Sequence, residues 1–139
     1  MPTAPDNITL NKAGIIERAL RRMKEEYTAN PSLDNYTHLD AMILNIERAC
    51  QAAIDLAVHM VATAHLGIPQ TSAEAFVLLE KAGRITAKTA KAMVGMTGFR
   101  NLAVHQYQTL ELDVLRAIAM KEHQSLVRFC EEMGVRIAP

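Results

Sequence analysis

The sequence predicts an all-α protein, an antiparallel bundle of four to five helices with no strand. Three observations carry that reading. Apolar residues recur at spacings of three and four along most of the chain. Half of the residues are hydrophobic, yet there is no Trp and few aromatics, and Ala, Leu, Ile and Met fill the apolar positions, as packed helices prefer. The breaks between periodic stretches are short, as antiparallel neighbours require.

The first helix is expected to start after Asp6 or Asn7 and to run to about Tyr27. Ile8, Ile15, Ile16, Ala19, Leu20 and Met23 form its apolar stripe, and Arg18, Arg21, Arg22 and Lys24 mix with Glu17, Glu25 and Glu26 on a salt-bridged outer face. Asn30-Pro31-Ser32 breaks the chain. Thr37 with Asp40 three residues later reads as a capping box that opens a long second helix. Its stripe runs from Leu39 through Ile46, Cys50, Ile54 and Val58 to Val61, and Gly67 with Pro69 is expected to end it. Thr71-Ser72-Ala73-Glu74 is a second capping box, for a short third helix closed by Gly83. Thr86 opens the fourth helix, with Ala87, Ala90, Met93 and Val94 directed inward. The last helix spans about Leu112 to Met133, with Leu115, Ile118, Leu126, Phe129, Cys130 and Met133 inside.

At 139 residues the chain is long enough for one domain with its own core, and no repeat or composition shift suggests a second. Residues 1–6 and 135–139 are expected to be loose ends. Lys and Arg total 15, and so do Asp and Glu, which argues against a large duplex-wrapping surface but allows a small cationic cleft. Cys50 and Cys130 are too far apart for a Cys-x-x-Cys zinc site and fall on apolar faces, so buried free thiols are expected. Met1 to Pro5 lacks the features of a signal peptide, and no apolar run reaches the length of about 18 residues that a membrane helix needs. These points suggest a cytoplasmic protein without membrane contact.

The chemistry concentrates in Gly98-Phe99-Arg100-Asn101-Leu102-Ala103-Val104-His105-Gln106-Tyr107. Arg100 offers a permanently charged planar fork that matches phosphate oxygens. His105 can take and give a proton near neutral pH. That pair suits a phosphodiester that gains charge while a hydroxyl loses a proton. In RNA the hydroxyl is the adjacent 2′-OH, so neither a metal nor a cofactor is needed. On one ideal helix His105 sits about 140° round from Arg100, whereas Asn101 and His105 share a face. Either the helix unwinds near Gly95 and Gly98, or a second subunit completes the site. A homodimer is the favoured solution, because a two-fold axis beside this segment doubles both groups in one cleft. Gly95 and Gly98 could equally serve close helix approach or backbone freedom. Gln51, Asp55 and His59 form a polar i, i+4, i+8 row that has too few ligands for a metal site.

The segment Arg100-Asn101-x-x-Val104-His105-x-Tyr107 resembles the Arg-x4-His-x-Tyr signature of HepT-type toxins, in the HEPN superfamily of small helical ribonucleases. Ala53-Ile54-Asp55-Leu56-Ala57, Gly67-Ile68-Pro69 with Ala75-Phe76 and Leu79, and Met93-Val94-Gly95 resemble the same family in the same order, over roughly residues 8 to 133. The resemblance implies a toxin of a toxin–antitoxin pair that cleaves RNA, with tRNA the class the family points to. Arg100 and His105 would be catalytic at a dimer-interface cleft, Asn101 and Asp55 supporting. It further implies that Tyr107 receives AMP from a cognate minimal nucleotidyltransferase antitoxin, which silences the toxin. The alternative is a non-catalytic helical module that binds a nucleotide phosphate or a nucleotidyltransferase through Arg100 and His105. His105 weighs against it, since binding alone needs a cation but no proton shuttle.

Overall fold

A computed structural model describes residues 4–105 and 110–139, and no strand occurs among them. The helices are α1 (Asn7–Ala29), α2 (Tyr36–Thr63), α3 (Ser72–Lys81), α4 (Ala87–His105), α5 (Leu112–Ala117) and α6 (Gln124–Glu132), with a π-helical turn, Ile118–Glu122, between the last two. Counting the interrupted terminal helix once gives five.

The core is organised on α2, which touches α1, α3, α4 and α6. Met42, Ile46, Ala49, Ala53, Leu56, Ala57 and Val61 on α2 are all nearly inaccessible. Against them lie Ile16, Leu20 and Met23 from α1, Phe76 and Leu79 from α3, and Leu126 and Phe129 from α6. The Phe76 and Phe129 rings meet edge to face, with centroids 5.3 Å apart. Such a pair contributes about 0.5–1.5 kcal/mol beyond its buried area.

The caps explain the boundaries. Asp6 caps α1, accepting the Thr9 N–H at 2.8 Å. Thr71 caps α3, accepting the Glu74 N–H at 3.1 Å, as its capping-box pattern predicts. For α2 the cap is Asn35 instead of Thr37: its Oδ1 accepts from the N–H groups of Thr37 and His38, and an earlier good cap wins because it adds a residue pair to the helix. That helix also stops before Gly67. His65 takes a left-handed φ of 55°, and the bonds Leu66 N–H to Val61 O and His65 N–H to Ala62 O close a Schellman end. Gly83 with φ of 72° closes α3 in the same way.

Other differences follow from geometry that periodicity does not fix. Ile8, Val58, Ala87 and Val94 lie on outer faces, while Thr9, Thr89 and Thr97 are buried in their stead. The last helix does not run unbroken. The His123 N–H bonds to Ile118 O at 3.1 Å, a five-residue reach that defines the π turn. His123 is buried, and its Nδ1 lies 2.9 Å from the same carbonyl. A carbonyl only accepts, so Nδ1 carries the proton and Nε2 faces Gln124 Nε2 as acceptor at 3.2 Å.

The ends are not loose where they are described. Ile137 is buried, the Ala138 N–H donates to Glu17 Oε2 at 2.7 Å, and Arg21 donates to the Ala138 carbonyl at 3.1 Å. Asp6 pairs with His59 Nε2 at 2.7 Å. These three contacts join positions more than 50 residues apart, so none is readable from local sequence. The charged face of α1 is salt-bridged as expected: Arg22 binds Glu25 and Glu26, and Glu26 also holds His38 at 2.6 Å. Cys50 and Cys130 are buried free thiols, each pushed up to about 12 by burial. No helix among the described residues is long and apolar enough to cross a membrane.

Candidate active site on α4

Thr86 starts α4 by accepting the Thr89 N–H on its hydroxyl at 3.2 Å, and the Thr86 N–H donates to Glu132 Oε1 on α6 at 2.6 Å. From there the helix continues through Gly95 and Gly98 to His105 without a break. A Cβ built on either glycine meets nothing within 4 Å. The glycines therefore neither end the helix nor unwind it. They bare its outer face, beside the exposed Val94 and Leu102.

Arg100 lies on the opposite, core-facing line of the helix. Met93, Met96, Thr97 and Ala103, all buried, share that line at helical spacing. The side chain is half-buried, and Nη1 lies 3.4 Å from Asn101 Oδ1. Its Nε is fully buried and has no hydrogen-bond partner among the described residues. The charge faces Cys50 on α2, whose thiol is held up by burial while Arg100 pulls in the opposite direction and Glu47 adds to the rise. Sequence carried no signal for that proximity, because Cys50 and Arg100 are fifty positions apart.

Asn101 is exposed beside Arg100. Asp55 on α2 is held by Gln51 Nε2 at 2.9 Å and Lys12 Nζ at 3.4 Å, and Arg100 is not among its hydrogen-bond partners. His105 is the last residue of α4, about 140° round the helix axis from Arg100 in register. Tyr107 lies outside the described residues. Among the described residues no three of His, Cys, Asp or Glu gather closely enough to share a metal ion. What the described site offers is one half-buried guanidinium fork, an adjacent amide and a helix continuing to an imidazole-bearing position.

The profile of the family described as Ribonuclease HepT-like matches residues 15–133. The chain is 34% identical over 127 residues to the mRNA nuclease HepT of Shewanella oneidensis, covering 91% of this chain and 96% of that protein. It is also 34% identical over 101 residues to the tRNA nuclease HepT of Aphanizomenon flos-aquae, covering 70% and 67%. The fold is similar, at a TM-score of 0.87 and 34% identity, to a tri-AMPylated Shewanella oneidensis HEPN toxin in complex with MNT antitoxin, covering 91% of this chain and 96% of that one. A crystal structure of a toxin–antitoxin with AMP-PNP matches at the same TM-score and 33% identity, covering 91% and 97%. With nearly the whole chain matched in sequence and fold, this protein belongs to the HepT-like ribonuclease family.

Proposed function

We propose that this protein is the toxin of a toxin–antitoxin pair, a metal-independent endoribonuclease that works as a homodimer in the cytoplasm. The observation that carries the reading is Arg100 on the inner line of α4 with its Nε buried and unpartnered. Leaving such a donor unpaired costs about 1–3 kcal/mol, which a phosphate ligand would recover. Arg128 Nε is buried and unpartnered too, so it is the place of Arg100 in the motif, beside Asn101 and five residues before His105, that ties this donor to phosphate.

In the proposed reaction Arg100 neutralises the scissile phosphate and the charge that builds up on its oxygens in the transition state. His105 takes the 2′-OH proton. The 2′-oxygen forms a bond to phosphorus, the bond from phosphorus to the 5′-oxygen breaks, and that oxygen takes a proton from an imidazolium, His105 of the second copy. The products are a 2′,3′-cyclic phosphate and a 5′-hydroxyl. The two residues diverge by about 140° on one helix, so their convergence needs two copies of α4. The face bared by Gly98, flanked by Val94 and Leu102, supports close approach of a second helix there. Asn101 steadies the fork. Asp55 is the second supporting residue in this reading, reached through the assembled cleft.

The relatives carry the remaining parts. An antitoxin of the minimal nucleotidyltransferase class transfers AMP to Tyr107, and the added phosphodiester occupies the anion site beside Arg100 and repels RNA. The RNA is mRNA or tRNA, the substrates named for the two curated relatives.

The test is incubation of the purified protein with total RNA in EDTA, after intact mass has shown Tyr107 unmodified. Cleavage that His105→Ala reduces by about 10²–10⁴ supports the reading. Cleavage that His105→Ala leaves unchanged, or intact RNA with the unmodified chain, overturns it.

A further inference from the structure

A groove of 400 Å³ runs along α4 on the side facing α5 and the π turn. Its floor is Met96, Phe99 and Ile118, each less than 10% exposed, and Val114 forms the outer wall at 44% exposure. Lys88 and Lys91 stand on one rim and Glu122 on the other. Both lysines are exposed, and among the described residues neither has a carboxylate within ion-pair distance. That sets them apart from the arginines of α1, where Arg21 and Arg22 are paired. The volume falls in the range of about 300–1,000 Å³ typical of small-ligand sites. The groove ends at Phe99, the residue before Arg100, and Lys91 stands about 14 Å along the helix axis from Arg100.

We propose that this groove holds one nucleotide of the RNA strand, upstream or downstream of the scissile linkage, with its base on the Met96–Phe99–Ile118 floor and its phosphates over Lys88 and Lys91. The proposal rests on the reading of α4 as the nuclease helix. Charge decides the occupant. An apolar protein helix would leave two unpaired lysines at its edge, whereas a nucleotide supplies an apolar face and an anion together. Glu122, opposite the lysines, repels phosphate and so sets the direction: backbone toward α4, base toward α5. There its carboxylate accepts from an exocyclic amine, which favours A, C or G over U.

The test uses the full-length chain with Tyr107 unmodified and a fluorescein-labelled single-stranded RNA. In the His105→Ala background, which stops cleavage, anisotropy reads affinity at several salt concentrations. Lys88→Ala with Lys91→Ala is expected to weaken binding at least about fivefold and to lower the log–log salt slope by about 1.4, two phosphate contacts' worth. Val114→Trp, which fills the groove from an exposed position, is expected to weaken binding with the slope unchanged. With His105 intact, the same variants are expected to raise KM about as much as they weaken binding and to change kcat less than about twofold. Wild-type affinity and slope in all of these variants overturn the proposal, even if cleavage remains His105-dependent. RNA that binds through the groove residues but is never cleaved sinks the nuclease reading instead. If the groove variants leave RNA binding intact and abolish dimerisation in sedimentation, or nucleotidyltransferase binding, the groove is a protein interface and the proposal is wrong.

Discussion

Glu132 on α6 holds the first turn of α4 through Thr86: its Oε1 accepts the Thr86 N–H at 2.6 Å while its Oε2 accepts from the fully buried Thr89 hydroxyl. One carboxylate thus anchors the helix whose far end bears Arg100 and His105. Substituting Glu132→Ala leaves the buried Thr89 hydroxyl and the Thr86 N–H without that acceptor. We expect a loss of about 1–3 kcal/mol, read as a lower urea midpoint at constant slope. Cleavage per folded molecule at low temperature should persist. An unchanged midpoint would remove the clasp from the account of stability.

Arg100 should behave in the opposite way. Because its Nε has no partner among the described residues, Arg100→Ala relieves a buried unpaired donor and should leave the melting temperature unchanged or higher. Cleavage should fall by about 10²–10³, the usual loss when one donor to a developing charge is removed. Arg100→Lys should recover only part of it, since an ammonium lacks the planar fork. A large drop in stability with either variant would make Arg100 structural.

The π turn gives the protein a pH limit. Burial lowers the His123 pKa below its ordinary 6.5, against the pull of the Ile118 carbonyl. The folded state therefore binds its proton more weakly than the unfolded chain. Stability from this group is complete above pH 6.5 and is lost as pH falls through the lowered value. The slope is at most about 1.4 kcal/mol per pH unit. Urea denaturation between pH 7 and 5 should show that decline in the wild type, and His123→Gln should flatten it. The carboxylates held low, Glu26, Asp34 and Asp6, act further down: Asp6 is lowered to about 2, first by the Thr9 N–H and then by His59.

Both thiols should be silent in the folded protein. With Cys50 and Cys130 pushed up to about 12 by burial, the reactive thiolate is scarce near neutral pH. A thiol reagent at pH 8 should label neither cysteine before unfolding and both in denaturant. Fast labelling of Cys50 in native buffer would mean that α4 lifts from α2 at Arg100.

Removing residues 135–139 should cost stability. It exposes the site that Ile137 fills and deletes the bonds of Ala138 to Glu17 and Arg21. Burial of one such side chain contributes about 1.5–3 kcal/mol. A truncated chain as stable as the full one would show that this tail only rests on α1.

The sequence by itself determined the helical class, the helices and the motif. Spacing of apolar residues at three and four is a local property of helices, so the buried lines of α2 and α6 could be read directly, as could the Thr71 cap with its Glu74 partner. Arg100, Asn101 and His105 are neighbours in the chain and needed no fold to be noticed. The packing decided what long-range contact controls. The tail docked beside Glu17, and Asp6 paired with His59. Arg100 settled beside Cys50 on α2, and its two glycine neighbours left α4 unbroken. Caps and stripes repeat within a few residues, whereas those contacts join faces that only the folded backbone brings together.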